Sequence, residues 1–263
     1  MPRVERDGVS LYYEADGDGP TVAFVGDLGY GGWVWAWQHP AIAGPFESLI
    51  WDLRGTGRSS GPAGPYEVPD LAADLEAVLA EHGTTRVHLV GLGLGGMVAV
   101  AYARRYDRAR SLLLAGTSAG GPHVPERPVE RLFAPRDDEV ALRETLAPVL
   151  SESFRRRQPD VVDGIVEWRA DGDASPDGWR AQAAAVEAFD ASDRLHEVTL
   201  PALVVHGTAD AVWPPAGGKR LADGLPRGEH VPVEGAGHLV TVERSRAVND
   251  RLVGFLEEHA GVE

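Results

Sequence analysis

The sequence predicts an α/β fold: a mostly parallel sheet covered on both faces by helices, with an inserted helical cap. Three observations carry that reading. Short apolar, β-branched runs alternate with amphipathic helical patterns over residues 21–114, and the alternation resumes over 202–259. Between them, residues 117–195 carry prolines at 122, 125, 128, 135, 148, 159 and 176, with helical patterns but no convincing strand. At 263 residues and 43% hydrophobic content, the chain can bury one large core and still carry an insertion. The expected division is a core of 1–116 and 196–263 and a cap of 117–195.

The elements follow in order. Residues 3–6 and 11–15 alternate around Asp7-Gly8, a hairpin signal. Thr21 to Val25 reads as a buried strand, and the Trp-rich stretch from Trp33 to Ile42 as a short helix. Ser48 to Trp51 is a second buried strand, followed by a helix from about Asp70 to His82 with Leu71, Leu75, Val78 and Leu79 on one face. A strand at 86–90 runs into glycines and a helix at 95–106, then a strand at 111–114. After the cap come a strand at 202–205, a helix near 215–224, a strand at 229–233 and a closing helix at 243–259.

Composition narrows the function. No window approaches eighteen apolar residues, so no transmembrane helix is expected, and the N-terminal Met-Pro-Arg-Val-Glu-Arg lacks the apolar core of a signal peptide, which points to the cytoplasm. With no cysteine, disulfides, thiolate metal sites and a cysteine nucleophile are excluded. The formal charge of −15 disfavours nucleic acid and anionic membranes as partners and leaves a small molecule as the expected one. Lys219 is the single lysine. High acidity with so little lysine fits a high-salt cytoplasm, where self-repulsion is screened; a GC-rich genome is the alternative.

The chemistry lies in four ordered stretches. Gly91-Leu92-Gly93-Leu94-Gly95 forms a sharp turn between a strand and a helix. Asp52-Leu53-Arg54-Gly55-Thr56-Gly57-Arg58-Ser59 follows an earlier strand, His206-Gly207-Thr208-Ala209-Asp210 with Pro214 follows a later one, and Gly235-Ala236-Gly237-His238 precedes the last helix. Together they resemble the α/β-hydrolase superfamily, in the chain order nucleophile, acid, histidine. The resemblance spans essentially the whole chain and looks closest to the capped enol-lactonase, perhydrolase and carboxylesterase branches. It implies an eight-stranded, mostly parallel sheet and no cofactor. It also implies that Asp210 orients one ring nitrogen of His238 while the other serves as base. The backbone N–H groups of Leu28 and Leu94 would form an oxyanion hole.

Two positions depart from that pattern. The middle residue of the turn, where the superfamily carries its serine, is Gly93. Where it usually reads His-Gly-x-Gly, this chain reads Gly26-Asp27-Leu28-Gly29. Asp27 either points away and caps a turn, or faces the site and opposes a developing oxyanion. Glycine keeps the strained turn while deleting the nucleophile, a loss that costs up to roughly six orders of magnitude in rate. Ser59 and Ser118 lie on neighbouring loops, and nothing in the sequence brings either to His238.

Three readings follow. The His238–Asp210 dyad acts alone as a general base, on water in the vacated space or on a substrate proton, for hydrolysis of a small ester or lactone or for proton-transfer and lyase chemistry. Alternatively the fold is a ligand-binding module without turnover, or Gly93 is an engineered replacement of an ordinary serine. Gly91, Gly93 and Gly96 also satisfy a dinucleotide fingerprint, but the next strand ends at Ala115-Gly116 with no acidic residue for a ribose. His206 reads as a packing and hydrogen-bonding residue, and Asp52 and Arg54 as loop braces. His39, His82, His88, His123, His196, His230 and His259 show no metal-ligand pairing. Phe154, Trp168 and Trp179 of the cap, with Trp33, Trp35 and Trp213 of the core, are candidates for an aromatic pocket or for ordinary packing.

Overall fold

A computed structural model describes residues 2–121 and 131–261. Pro122, His123, Pro125 and Pro128, singled out above, lie outside the described residues. Eight strands form one sheet in the order β1-β2-β4-β3-β5-β6-β7-β8. They are β1 (Arg3–Arg6), β2 (Val9–Asp16), β3 (Thr21–Val25), β4 (Glu47–Trp51), β5 (Val87–Leu92), β6 (Ala109–Ala115), β7 (Ala202–Gly207) and β8 (Gly228–Val233). The β1–β2 and β2–β4 pairs are antiparallel, and every other pair is parallel. Every residue of β3, β5 and β7 is buried, as expected for strands covered on both faces.

Helices flank the sheet. They are α1 (His39–Ile42), α2 (Val68–His82), α3 (Leu94–Arg105), α8 (Pro215–Gly224), α9 (Val240–Glu243) and α10 (Ser245–His259); α4 (Glu139–Glu144), α5 (Glu152–Arg157), α6 (Pro159–Gly172) and α7 (Pro176–Ala188) lie between β6 and β7. Helix α2 starts two residues before the expected Asp70, because Glu67 and Asp70 close a reciprocal capping box and Pro69 occupies its first turn. It ends at Gly83 in the left-handed conformation. Helix α3 is buried from Leu94 through Tyr102, packed between α2 and the sheet.

Two helices differ from the sequence expectation. The Trp-rich stretch forms a 3-10 turn over Gly32–Trp35 and then α1, because Pro40 lacks the N–H that a continuous helix needs and is tolerated only in a first turn. The closing helix expected over 243–259 is α10, starting at Ser245; a short α9, not expected, precedes it across Arg244, where φ is −126°. Glu243 turns inward there and accepts from Gly237 N at 2.8 Å and Ser151 N at 2.7 Å.

The strand order positions the site. From β3 the chain passes to β4 on one side and returns to β5 on the other, a switch point at the carboxyl ends of the strands. Val25 and Gly91 are register partners there, so the loops carrying Asp27 and Gly93 leave side by side. Gly95 permits the close approach, since a Cβ on it would lie 2.0 Å from the Val25 carbonyl oxygen.

Candidate active site

Gly93 has φ +52° and ψ −115° and is followed at once by α3. Its N–H donates to Ala115 O at 3.1 Å, and its carbonyl accepts from Thr117 Oγ1 at 2.6 Å, which pins the turn between β5 and β6. This is the strained conformation that glycine adopts at least cost.

Asp27 faces the site. Its Oδ1 accepts from Leu28 N at 2.7 Å and from Leu94 N at 2.8 Å, the two backbone donors expected to form the oxyanion hole. Its Oδ2 lies 2.7 Å from His238 Nε2. A Cβ at position 93 would stand 1.8 Å from Asp27 Oδ1, inside any contact distance. The space freed by the missing serine therefore holds neither water nor substrate; the Asp27 carboxylate fills it. Leu94 N belongs to the first turn of α3, where peptide dipoles favour a negative group. A phosphate approaching the same turn would meet that carboxylate, which removes the dinucleotide reading of Gly91, Gly93 and Gly96.

His238 sits between two acids. Its Nδ1 is 3.1 Å from Asp210 Oδ2, and its Nε2, expected to be the free base, is occupied by Asp27. Carboxylates on both sides require an N–H on both ring nitrogens, so the geometry calls for imidazolium. Burial alone would lower its pKa, but Asp210 and Asp27 outweigh burial and raise it to about 10. At neutral pH His238 is an acid already holding its proton, and not a base waiting for one.

Asp210 is held by its own turn, with Oδ1 accepting from Val212 N at 2.8 Å and Trp213 N at 2.9 Å. Burial pushes its pKa up, and the opposing charge and hydrogen bonds of His238 and His206 bring it below the ordinary carboxylate range. His206 Nε2 lies 3.2 Å from Asp210 Oδ2 and 3.0 Å from Trp213 O. A carbonyl only accepts, so that nitrogen carries the proton and steadies both the acid and its turn. Among the described residues no cluster of His, Cys, Asp or Glu could hold a metal ion.

The other candidates are engaged elsewhere. Ser59 Oγ donates to Asp52 O, and Ser118 Oγ accepts from Gly120 N; neither is bonded to His238. Arg54 pairs with Asp74 through two contacts of 2.6 Å, and Asp52 accepts from Arg58 N at 2.9 Å, so both brace loops. Of the aromatic candidates, Trp33 and Trp168 line a cleft of about 420 Å³ with Ile50, Asp52 and Arg58, which includes neither Asp27 nor His238. Trp35 and Trp213 are core residues, and Trp179 packs beside Phe133.

Two positioning residues carried no sequence signal. Gln182, buried on α7, accepts from Gly29 N at 2.8 Å and donates to Arg54 O at 2.9 Å and Thr56 Oγ1 at 2.7 Å, tying α7 to the Asp27 loop. Glu243 ties the His238 loop to Ser151. A glutamine among the alanines of a helix and a glutamate near a helix end look like surface residues until tertiary contacts are known.

The chain has matches among known proteins. The alpha/beta hydrolase family model matches residues 22–251. The chain belongs to that family. This α/β-hydrolase is 30% identical to a protein from Caulobacter sp. (strain K31) named as a carbamate hydrolase, RutD, over 95% of this chain and 97% of that one. It is 25% identical to 3-oxoadipate enol-lactonase 2 of Acinetobacter baylyi, over 92% and 91% of the two chains. The crystal structure of the enol-lactonase from Burkholderia xenovorans LB400 superposes with a TM-score of 0.88 at 30% identity, covering 97% of this chain and 100% of that one. No helix among the described residues of this α/β-hydrolase is long and apolar enough to cross a membrane.

Proposed function

We propose that this α/β-hydrolase cleaves a C–O bond of a small ester- or lactone-like substrate with water and without a nucleophilic serine. Asp27, His238 and Asp210 act as one unit. The observation that carries this reading is the 2.7 Å contact between Asp27 Oδ2 and His238 Nε2, at the place where a serine hydroxyl would otherwise meet the imidazole. It juxtaposes a carboxylate that can accept a proton or attack and an imidazolium that can protonate a leaving oxygen. The names of the relatives, enol-lactonase and carbamate hydrolase, support the substrate class.

The same contact argues against a lone engineered exchange of serine for glycine. Asp27 occupies its place only because position 93 has no side chain, so the two residues form a matched pair.

One observation favours a second reading, a binding module without turnover. Asp27 and His238 are 1% and 0% exposed, and their hydrogen bonds are satisfied without a ligand. Turnover of short aryl esters and small lactones by the native chain and by His238→Ala decides between them. Activity above buffer in the native chain, lost in the variant, supports the hydrolase. Equal background rates in both would leave the binding module.

A further inference from the structure

A second cavity lies at the amino ends of the parallel strands, away from the carboxyl ends that carry Asp27 and Gly93. It measures about 350 Å³ and sits where β3, β5 and β6 begin. Thr84, Thr85, Arg86, His88, Arg110 and His259 line it. No aspartate or glutamate is among the lining residues, although the chain carries 40 of them against 25 lysines and arginines. Such a lining makes a positive field inside a chain of net charge −15. The backbone sets these groups in place. Gly83 ends α2 in the left-handed conformation, and Thr84 to Arg86 lead into β5. The β5–β6 register runs from Val87–Ala109 to His88–Ser111, so Arg110 is the extra residue of a β-bulge. His88 Nδ1 lies 2.8 Å from Ser111 Oγ, which fixes the ring.

Three of these groups are left without the partners their chemistry calls for. Thr84 is 6% exposed, and its hydroxyl has no hydrogen-bond partner. A buried hydroxyl left unmet carries a desolvation cost that an acceptor on a ligand would recover. Arg86 makes no hydrogen bond or ion pair among the described residues, and Arg110 donates only to the carbonyls of Asp107 and Ala109. Thr21, at the rim, is not one of them, since its hydroxyl donates to Glu47 Oε2 at 2.6 Å. Burial lowers the pKa of His88 to about 4, and the charges of His259 and Arg110 push it the same way. That is an excess of positive potential which an anion would relieve.

We propose that this cavity binds a small phosphate dianion, either inorganic phosphate or the phosphoryl group of a small metabolite. Arg86 and Arg110 each supply an N–H fork that matches a pair of phosphate oxygens. The Thr84 hydroxyl donates to a further one. A planar carboxylate has two oxygens, which a single arginine fork can occupy. A tetrahedral anion keeps acceptors for the second arginine and for Thr84. The site shares no residue with Asp27, His238 or Asp210 and does not depend on the hydrolase reading.

The test is a calorimetric titration of the native chain with inorganic phosphate and, separately, with glycerol 3-phosphate. Ionic strength is held constant with KCl, because salt alone acts on so acidic a chain. Saturable binding of one anion per chain is expected. Arg86→Gln and Arg110→Gln should each weaken it about tenfold or more, as for loss of a charge-assisted hydrogen bond. Thr84→Val should weaken it about fivefold. Its melting temperature in phosphate-free buffer should stay level or rise, because the hydroxyl it removes has no partner. Arg86 is exposed and unbonded, so Arg86→Gln keeps the fold and carries the test by itself if the other variants do not fold. The tighter anion gives the source: free phosphate if the inorganic ion wins, a phosphorylated metabolite if the ester does. Absence of saturable binding by both anions overturns the proposal. So does equal binding by the native chain and Arg86→Gln, which would be a site elsewhere or a general salting effect.

Discussion

Asp27 Oδ1 and a side chain at position 93 exclude each other: a Cβ on Gly93 would stand 1.8 Å from that oxygen. Restoring the serine of the family is therefore not a single substitution. Gly93→Ser is expected to gain no esterase activity and to lose about 1–3 kcal/mol of stability through overpacking. The double variant Asp27→Gly/Gly93→Ser opens the hole, frees His238 Nε2 and is expected to hydrolyse p-nitrophenyl acetate above either single variant. Rates and melting temperatures of the four members of the cycle give the coupling directly. Additive effects would contradict the steric exclusion.

The pH dependence of stability follows from the two carboxylates around His238. Its folded pKa of about 10 lies above the ordinary 6.5, so its contribution is complete below about pH 6.5 and is lost as pH rises through about 10. His88 behaves oppositely. Burial, with His259 and Arg110, lowers it to about 4, so its contribution is lost as pH falls from 6.5 toward 4. The melting temperature is expected to be highest between about pH 6.5 and 9. Asp27→Asn removes one carboxylate from His238 and should move the alkaline limb to lower pH. An unmoved alkaline limb would mean that Asp27 does not hold the proton on His238.

Gln182 joins α7 to the Asp27 loop through three hydrogen bonds. Gln182→Leu leaves Gly29 N and Arg54 O without their partner and is expected to cost about 1–3 kcal/mol. If the link also positions the loop, kcat falls more than KM changes. A melting shift with unchanged kcat would assign Gln182 to structure alone.

The net charge of −15 produces self-repulsion that added salt screens. The melting temperature is expected to rise with KCl toward molar concentration. A flat or falling curve would rule out adaptation to a high-salt cytoplasm and leave base composition as the source of the arginine bias.

The α/β architecture was legible because buried parallel strands write themselves as apolar runs, as in Thr21–Val25 and Ala202–Gly207, and because glycines mark the turns that follow. The pairing of Asp210 with His238 followed from motif order, and so did the convergence of the Leu28 and Leu94 N–H groups. The direction of Asp27 did not. A single side chain after a strand turns either way at similar local cost, and only the neighbouring loop, brought alongside by the β3–β5 pairing, decides it. The charge state of His238 was hidden for the same reason: it depends on Asp27, 211 positions away in the chain, as well as on Asp210. Gln182 and Glu243 act through contacts between distant elements and leave no periodicity to read.

The most direct test of the account compares kcat/KM of the native chain with that of Asp27→Asn on a substrate that the native chain hydrolyses. Asparagine keeps the shape and an acceptor for Leu28 N and Leu94 N but is a poor base and nucleophile. The expected result is a loss on the order of 10³-fold or more, as for removal of a nucleophile or its base from a triad, with a folded variant. Retention of native kcat/KM by the Asp27→Asn variant would contradict the claim that Asp27 has taken over the work of the serine.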